Sequence, residues 1–170
     1  AYMLYAEMVM YQNDESRYSK ALEYMRQIIN SGKFALHDNY AALWTKEGEW
    51  TKESIFEINY TDGPNGKRAY GWGAAPVRTD AYDKFASGDA RRDATCYRPA
   101  SGSYKPRYED TGIWLSKYIA RSANLQNIAG ATDGNYANNL RIYRYAETLL
   151  NAAELLVRTN GSAADAQQYL

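Results

Sequence analysis

The sequence predicts a mainly α chain, with a helix pair at each end and a loop-rich insertion between them that holds a few short β-strands. Three observations predict it. Apolar residues recur at helical spacing near both ends, each time followed by a polar turn and a second periodic run. Residues 54–60 alternate instead, which is the period of a strand. Glycine, proline and asparagine then punctuate the middle of the chain too often for a long element to form.

Residues 1–12 and 17–30 make the first pair, joined by Asn13, Asp14, Glu15 and Ser16. Tyr18, Ala21, Leu22, Met25, Ile28 and Ile29 fit the i, i+3, i+4, i+7 template of a helix with one buried face. Ser16 is placed to cap that helix, and Ser31 and Gly32 to end it. The second pair is a helix over 141–158, a turn at Thr159, Asn160, Gly161 and Ser162, and a helix from Ala163. Ile142, Ala146, Leu149, Ala153 and Leu156 form the expected buried stripe of the longer helix. Arg144, Thr148, Asn151, Glu154 and Arg158 form its polar face. Ala6 and Glu7 in the first pair correspond to Ala153 and Glu154 in the second, with Ala21 or Ala166 on the helix that follows. A repeated helix–turn–helix unit of this kind points to tetratricopeptide-like pairs. The expected organisation is a single domain with a helical pair and its exit at 1–48, a loop and strand insertion at 49–139, and a second helical pair at 140–170.

Within the insertion, residues 54–60 place Phe56, Ile58 and Tyr60 on one face and Ile55, Glu57 and Asn59 on the other. Residues 62–66 turn, and a glycine- and ring-rich loop occupies 67–73. A short helix is expected over 79–86, ending near Gly88. A second strand is expected over 113–119, with Trp114 in the core, and 122–139 reads as a polar loop.

Bulk properties narrow the function. Twenty basic and 20 acidic residues leave no net charge, so no general field draws the chain to nucleic acid or an anionic membrane. One cysteine, Cys96, excludes an internal disulfide and a cysteine-rich zinc site. No apolar run reaches the roughly 20 residues of a membrane helix. The first and last residues fall inside helical patterns, so the chain reads as a middle-to-late excerpt of a longer protein. Tyrosine is abundant, 17 of 170 residues, which fits flat contact surfaces as well as helix packing.

The run Arg144, Tyr145, Ala146, Glu147, x, Leu149, Leu150, Asn151, x, Ala153, Glu154 closely resembles the signature helix of the RagB/SusD family, the surface glycan-binding lipoproteins of Bacteroidetes-type bacteria. Other segments share the likeness. Tyr18-x-x-Ala21-Leu22, the run 28–36 and Tyr40-x-x-Leu43-Trp44 resemble the family's central helix and exit. Glu53, Ile55, Phe56 and Ile58 resemble its Glu-x-Ile-Phe-x-Ile strand. Tyr82 with Asp89-x-Arg91-Arg92 resembles a family turn, and Lys117-Tyr118 a family strand. The resemblance implies an outer-membrane, surface-exposed protein, lipid-anchored through a segment ahead of this one. It also implies a SusC-like TonB-dependent transporter as partner and an oligosaccharide as ligand, without catalysis.

Tyr70 and Trp72 stand two apart between small residues, so Gly71 and Gly73 free the backbone to present both rings. Arg68 and Asn65 supply hydrogen-bond donors beside them. A sugar stacked on these rings, with hydroxyls bonded to Arg68 and Asn65, is the expected glycan contact. Tyr97, Tyr104 and Tyr108 are weaker candidates. Glu147 and Glu154 lie about 10 Å apart along one helix, and Arg144 and Arg158 are expected to keep both carboxylates ionised and structural. His37, the sole histidine, has no nucleophile elbow to serve. Gly66 and Lys67 lack the rest of a phosphate loop, and Asp62, Asn65 and Asp133 lack the charge of a calcium loop. Asn160, Gly161 and Ser162 read as a turn. No cofactor, metal site or catalytic residue is expected. Two rival readings stand beside glycan capture: a helical-repeat module that binds protein, and a glycoside hydrolase.

Overall fold

The structure is a computed structural model that describes residues 1–60, 76–106, 108–117, 119 and 138–170. Contacts divide the chain into two units. The first comprises Ala1–His37, Trp50–Glu57 and Arg141–Leu170, and the second Asp38–Glu49 and Ile58–Leu140.

The first unit is a layer of four helices: α1 (Tyr2–Tyr11), α2 (Tyr18–Asn30), α5 (Tyr145–Arg158) and α6 (Ala163–Gln167). Within it, α1 packs on α2, α2 on α5, and α5 on α6. The two pairs therefore touch directly, although more than a hundred residues separate them in sequence. Ala6, Ala21 and Ala152 are completely buried, which lets the helix backbones come close. Met3, Val9, Met25 and Leu155 fill the space between them. At the far end of α5, the Arg158 guanidinium donates to the Tyr18 hydroxyl at 2.7 Å and to the Asn13 side chain at 3.2 Å, tying α5 to the α1–α2 turn. Gly32 takes φ +65° after α2, as a helix-ending glycine should. Ser162 caps α6 by accepting from the Asp165 N–H at 3.0 Å.

The mainly helical architecture agrees with the expectation, and several local expectations are corrected. Ser16 does not cap α2. It lies inside a short 3-10 turn, Glu15–Arg17, and its hydroxyl donates to Asp14 instead. The helix expected over 141–158 begins only at Tyr145. Residues Leu140–Arg144 form β4, paired with β1 (Ser54–Ile58), and Ile142 is an exposed strand residue. The backbone N–H of Tyr145 donates to the Glu53 carbonyl at 2.8 Å, so the chain leaves the sheet and enters the helix at one point. The buried face of α5 is also rotated from the expected stripe. It comprises Thr148, Ala152, Ala153, Leu155 and Leu156, and Thr148 is 0% exposed because its hydroxyl finds the Met3 sulfur at 3.1 Å. On β1 the apolar Phe56 faces out, 52% exposed, while Glu53 and Glu57 are buried.

The second unit contains two 3-10 turns, Ala42–Trp44 and Lys46–Gly48, then α3 (Thr79–Tyr82), α4 (Ala90–Thr95), β2 (Cys96–Tyr97) and β3 (Trp114–Leu115). Only glycine fits at 48, since a Cβ there would strike the Leu43 backbone. The antiparallel pair β2–β3 places Cys96 opposite Leu115 and Tyr97 opposite Trp114. The strand expected over 113–119 is a strand only at Trp114–Leu115, because in this antiparallel register the residues after Leu115 run opposite Thr95, where the partner is already the helix α4. The helix expected over 79–86 stops at Tyr82, where the Phe85 N–H bonds the Tyr82 carbonyl in a tighter turn. Trp114 is buried as expected, beside Ile113 and Cys96, and burial pushes the Cys96 thiol pKa up. The short helix α4 was not anticipated. Its Asp89 cap accepts from the Arg91 N–H at 2.9 Å. Among the described residues no helix is long and apolar enough to cross a membrane.

Candidate functional site

Asn65, Arg68, Tyr70 and Trp72 lie outside the described residues. What the structure does place is the start of the segment that holds them. Tyr60 donates its backbone N–H to the Asn139 side-chain oxygen at 3.3 Å, and the Asn139 N–H donates to the Glu49 carboxylate at 2.9 Å. Asn139 is buried, so these bonds form away from competing water.

In the first unit, the start of β1 is fixed by a buried carboxylate. Glu53 Oε2 accepts the His37 backbone N–H at 2.8 Å, and Oε1 accepts Arg144 Nη1 at 2.5 Å. One side chain thus joins the exit of α2, the head of β1 and the β4–α5 junction. The Glu57 carboxylate accepts the Trp50 N–H at 3.3 Å and faces Arg141, whose Nε is 3.9 Å away. The alternation of residues 54–60 defines two faces and does not say which of them is buried.

Arg144 was read from sequence as a partner of Glu147, and that reading is corrected: its guanidinium turns to Glu53. Burial and the neighbouring Glu7 charge raise the Glu147 pKa more than Arg144 lowers it. Glu7 accepts from the Tyr143 hydroxyl at 2.5 Å, which pushes that phenol up to about 12. Glu154 pairs with Arg158 at 2.6 Å, the pairing the sequence implied. The two acids of α5 are therefore held by different partners.

The motif residues 40–44, 82, 89–92 and 117, far apart in sequence, converge in the second unit. Lys117 Nζ sits 4.1 Å from the Trp44 ring centre and 5.5 Å from that of Tyr40, and the two rings meet edge to face. Arg92 and Arg98 lie over Tyr82 at 5.4 and 4.9 Å. Asp89 holds Arg91 through Oδ1 at 3.0 Å and Oδ2 at 2.6 Å, which keeps its carboxyl below the usual range. Beside them opens a groove of 470 Å³ lined by Tyr40, Lys84, Phe85, Asp89, Arg91 and Lys117, among others. Of the weaker candidates, Tyr104 packs edge-on against Trp114, while Tyr97 is partly exposed and Tyr108 fully open to solvent. Among the described residues no cluster of His, Cys, Asp or Glu could hold a metal ion.

The chain matches a family model described as SusD family over residues 6–170. No curated protein matches it. Among solved structures it is similar to surface glycan-binding protein A from Bacteroides uniformis, at 48% identity and TM-score 0.84, over 99% of this chain and 39% of that one. It is also similar to surface glycan-binding protein A from Bacteroides thetaiotaomicron in complex with laminarihexaose, at 43% identity and TM-score 0.86, over 99% of this chain and 44% of that one. A laminarin-binding SusD-like protein aligns at 25% identity and TM-score 0.76, again over 99% of this chain and 44% of that one. The chain thus spans about two fifths of the length of these proteins. With the helix pairs, the Glu53 strand and the motif-bearing groove all in place, this chain belongs to the SusD family.

Proposed function

We propose that the protein containing this chain captures an oligosaccharide at the bacterial cell surface without cleaving it and delivers it to a SusC-like TonB-dependent transporter. The observation that carries this reading is the 43% identity, over 99% of the chain, to a surface glycan-binding protein in complex with laminarihexaose. An outer-membrane location and lipid anchoring through a segment ahead of residue 1 complete the reading. In it, residues 1–48 and 140–170 serve as scaffold, and the insertion at 49–139 supplies the sugar contacts.

The contacts proposed are Tyr70 and Trp72 as stacking rings, with Arg68 and Asn65 bonding hydroxyls. Each stack contributes on the order of 1 kcal/mol beyond area burial. Two stacks and a few hydrogen bonds correspond to roughly micromolar to millimolar affinity, about −4 to −8 kcal/mol. Capture followed by hand-over needs such a range, because a ligand held far more tightly would leave too slowly for transport.

Calorimetry of the full-length protein with laminarihexaose tests the reading. Replacing Tyr70 and Trp72 together by alanine is expected to weaken binding more than about tenfold with the melting temperature nearly unchanged. Unaltered affinity in the double variant moves the contact elsewhere. Release of new reducing ends from the oligosaccharide would overturn the non-catalytic reading.

A further inference from the structure

The groove of the second unit has a charge balance that a neutral sugar does not require. Among the described residues its cations are Lys84, Arg91 and Lys117, and its one acid is Asp89. Asp89 is already committed: it accepts the Arg91 backbone N–H at 2.9 Å and three bonds from the Arg91 side chain. The nearby acids on the same elements are committed as well, Asp80 to Arg78 and Asp93 to Arg92, and Asp83 does not line the groove. Three cations against one carboxylate leave two positive charges in a chain whose total is zero. A hydroxyl both donates and accepts, so a neutral sugar is best met by mixed partners. Apart from the Thr95 and Tyr40 hydroxyls, the polar side chains of this lining are cationic donors and one carboxylate that is already engaged. The half-exposed rings of Tyr40 and Phe85 add an apolar wall on which a sugar face can lie. Lys117, held over Trp44 and Tyr40, fixes one of the charges in position without flexible searching.

We propose that this groove binds an anionic saccharide group, the carboxylate of a uronic acid or a sulfate ester, with the sugar ring against Tyr40 or Phe85. The inference rests on the glycan-capture reading above and adds a second contact with its own chemistry. Arg91, whose Nε and Nη2 are held by Asp89, offers the anion its remaining Nη1 edge, and Lys84 and Lys117 act as point charges.

The test uses the full-length protein and three probes: a galacturonic acid tetrasaccharide, a sulfated carrageenan tetrasaccharide and laminarihexaose. At least one acidic probe is expected to bind at low ionic strength and to weaken markedly at about 0.5 M salt. Lys84→Gln and Arg91→Gln are each expected to weaken it about tenfold, the worth of one charge-assisted hydrogen bond, and to leave laminarihexaose binding unchanged. Lys84 is exposed, so its variant separates binding from folding, and a melting curve checks the Arg91 variant. Laminarihexaose binding with neither acidic probe bound overturns this inference and leaves glycan capture standing. Acidic binding that ignores both substitutions overturns it too. A polyglutamate peptide that binds as tightly as the acidic saccharides would reassign the groove to a protein partner and overturn the saccharide assignment.

Discussion

Glu53→Ala is the substitution whose cost the structure fixes best. The carboxylate is 3% exposed and holds two donors on separate segments, the His37 N–H and the Arg144 guanidinium. Breaking a buried ion pair by removing one partner costs about 3–5 kcal/mol, because the remaining charge is left without compensation. Here the Arg144 side chain is 24% exposed and regains some water, which favours the lower end. Stranding the half-buried His37 N–H adds about 1 kcal/mol, so the expected total is roughly 3–4 kcal/mol. For a domain of this size that corresponds to a fall of about 6–16 °C in Tm. Glu53→Gln keeps an acceptor for one of the two donors and leaves no cavity, so its cost should be smaller than that of Glu53→Ala. Urea unfolding of the full-length protein, followed by tryptophan fluorescence, measures both variants. A cost below about 1 kcal/mol for Glu53→Ala, or equal costs for the two variants, would refute the assignment of Glu53 as the junction's anchor.

Other expectations follow the same logic. Leu155→Ala removes a fully buried side chain from between α2 and α5 and should cost about 2–5 kcal/mol by denaturant unfolding. Ser162→Ala removes the α6 cap and should cost about 1 kcal/mol, with the larger share visible as faster amide exchange in α6. Glu147 has its folded pKa raised above the usual 4.5, so in the window above that value the folded chain binds more protons than the unfolded one. Its contribution is therefore present at low pH and lost as pH rises through the raised value. The stability of Glu147→Gln relative to wild type should increase with pH across that window and then level off. Tyr143 should titrate near 12 in a difference spectrum against Tyr143→Phe, and Glu7→Gln should return it toward about 10.

The helix pairs were legible because Met25, Leu22, Ala21 and Ile28 repeat at the spacing a helix imposes on a buried stripe. β4 was not, since Leu140–Arg144 runs into α5 with no proline, glycine or capping residue to mark the change. Only its pairing with β1 distinguishes it. Thr148 was misplaced because a hydroxyl reads as polar, and its burial depends on a sulfur 145 positions away in sequence. Glu53 and Glu57 were missed for the same reason: their compensating charges, Arg144 and Arg141, come from a distant segment. In the groove each motif could be read, but the meeting of Tyr40 with Lys117 is a property of the chain's path. A net charge of zero also conceals a local excess.

The pairing of β1 with β4 makes a narrow doorway in the polypeptide. The backbone leaves the helical unit by one jamb, at Glu57, and comes home by the other, at Arg141. The same layout carries a kinetic toll: α2 cannot meet α5 until the whole excursion has closed, so assembly waits on a loop of over a hundred residues.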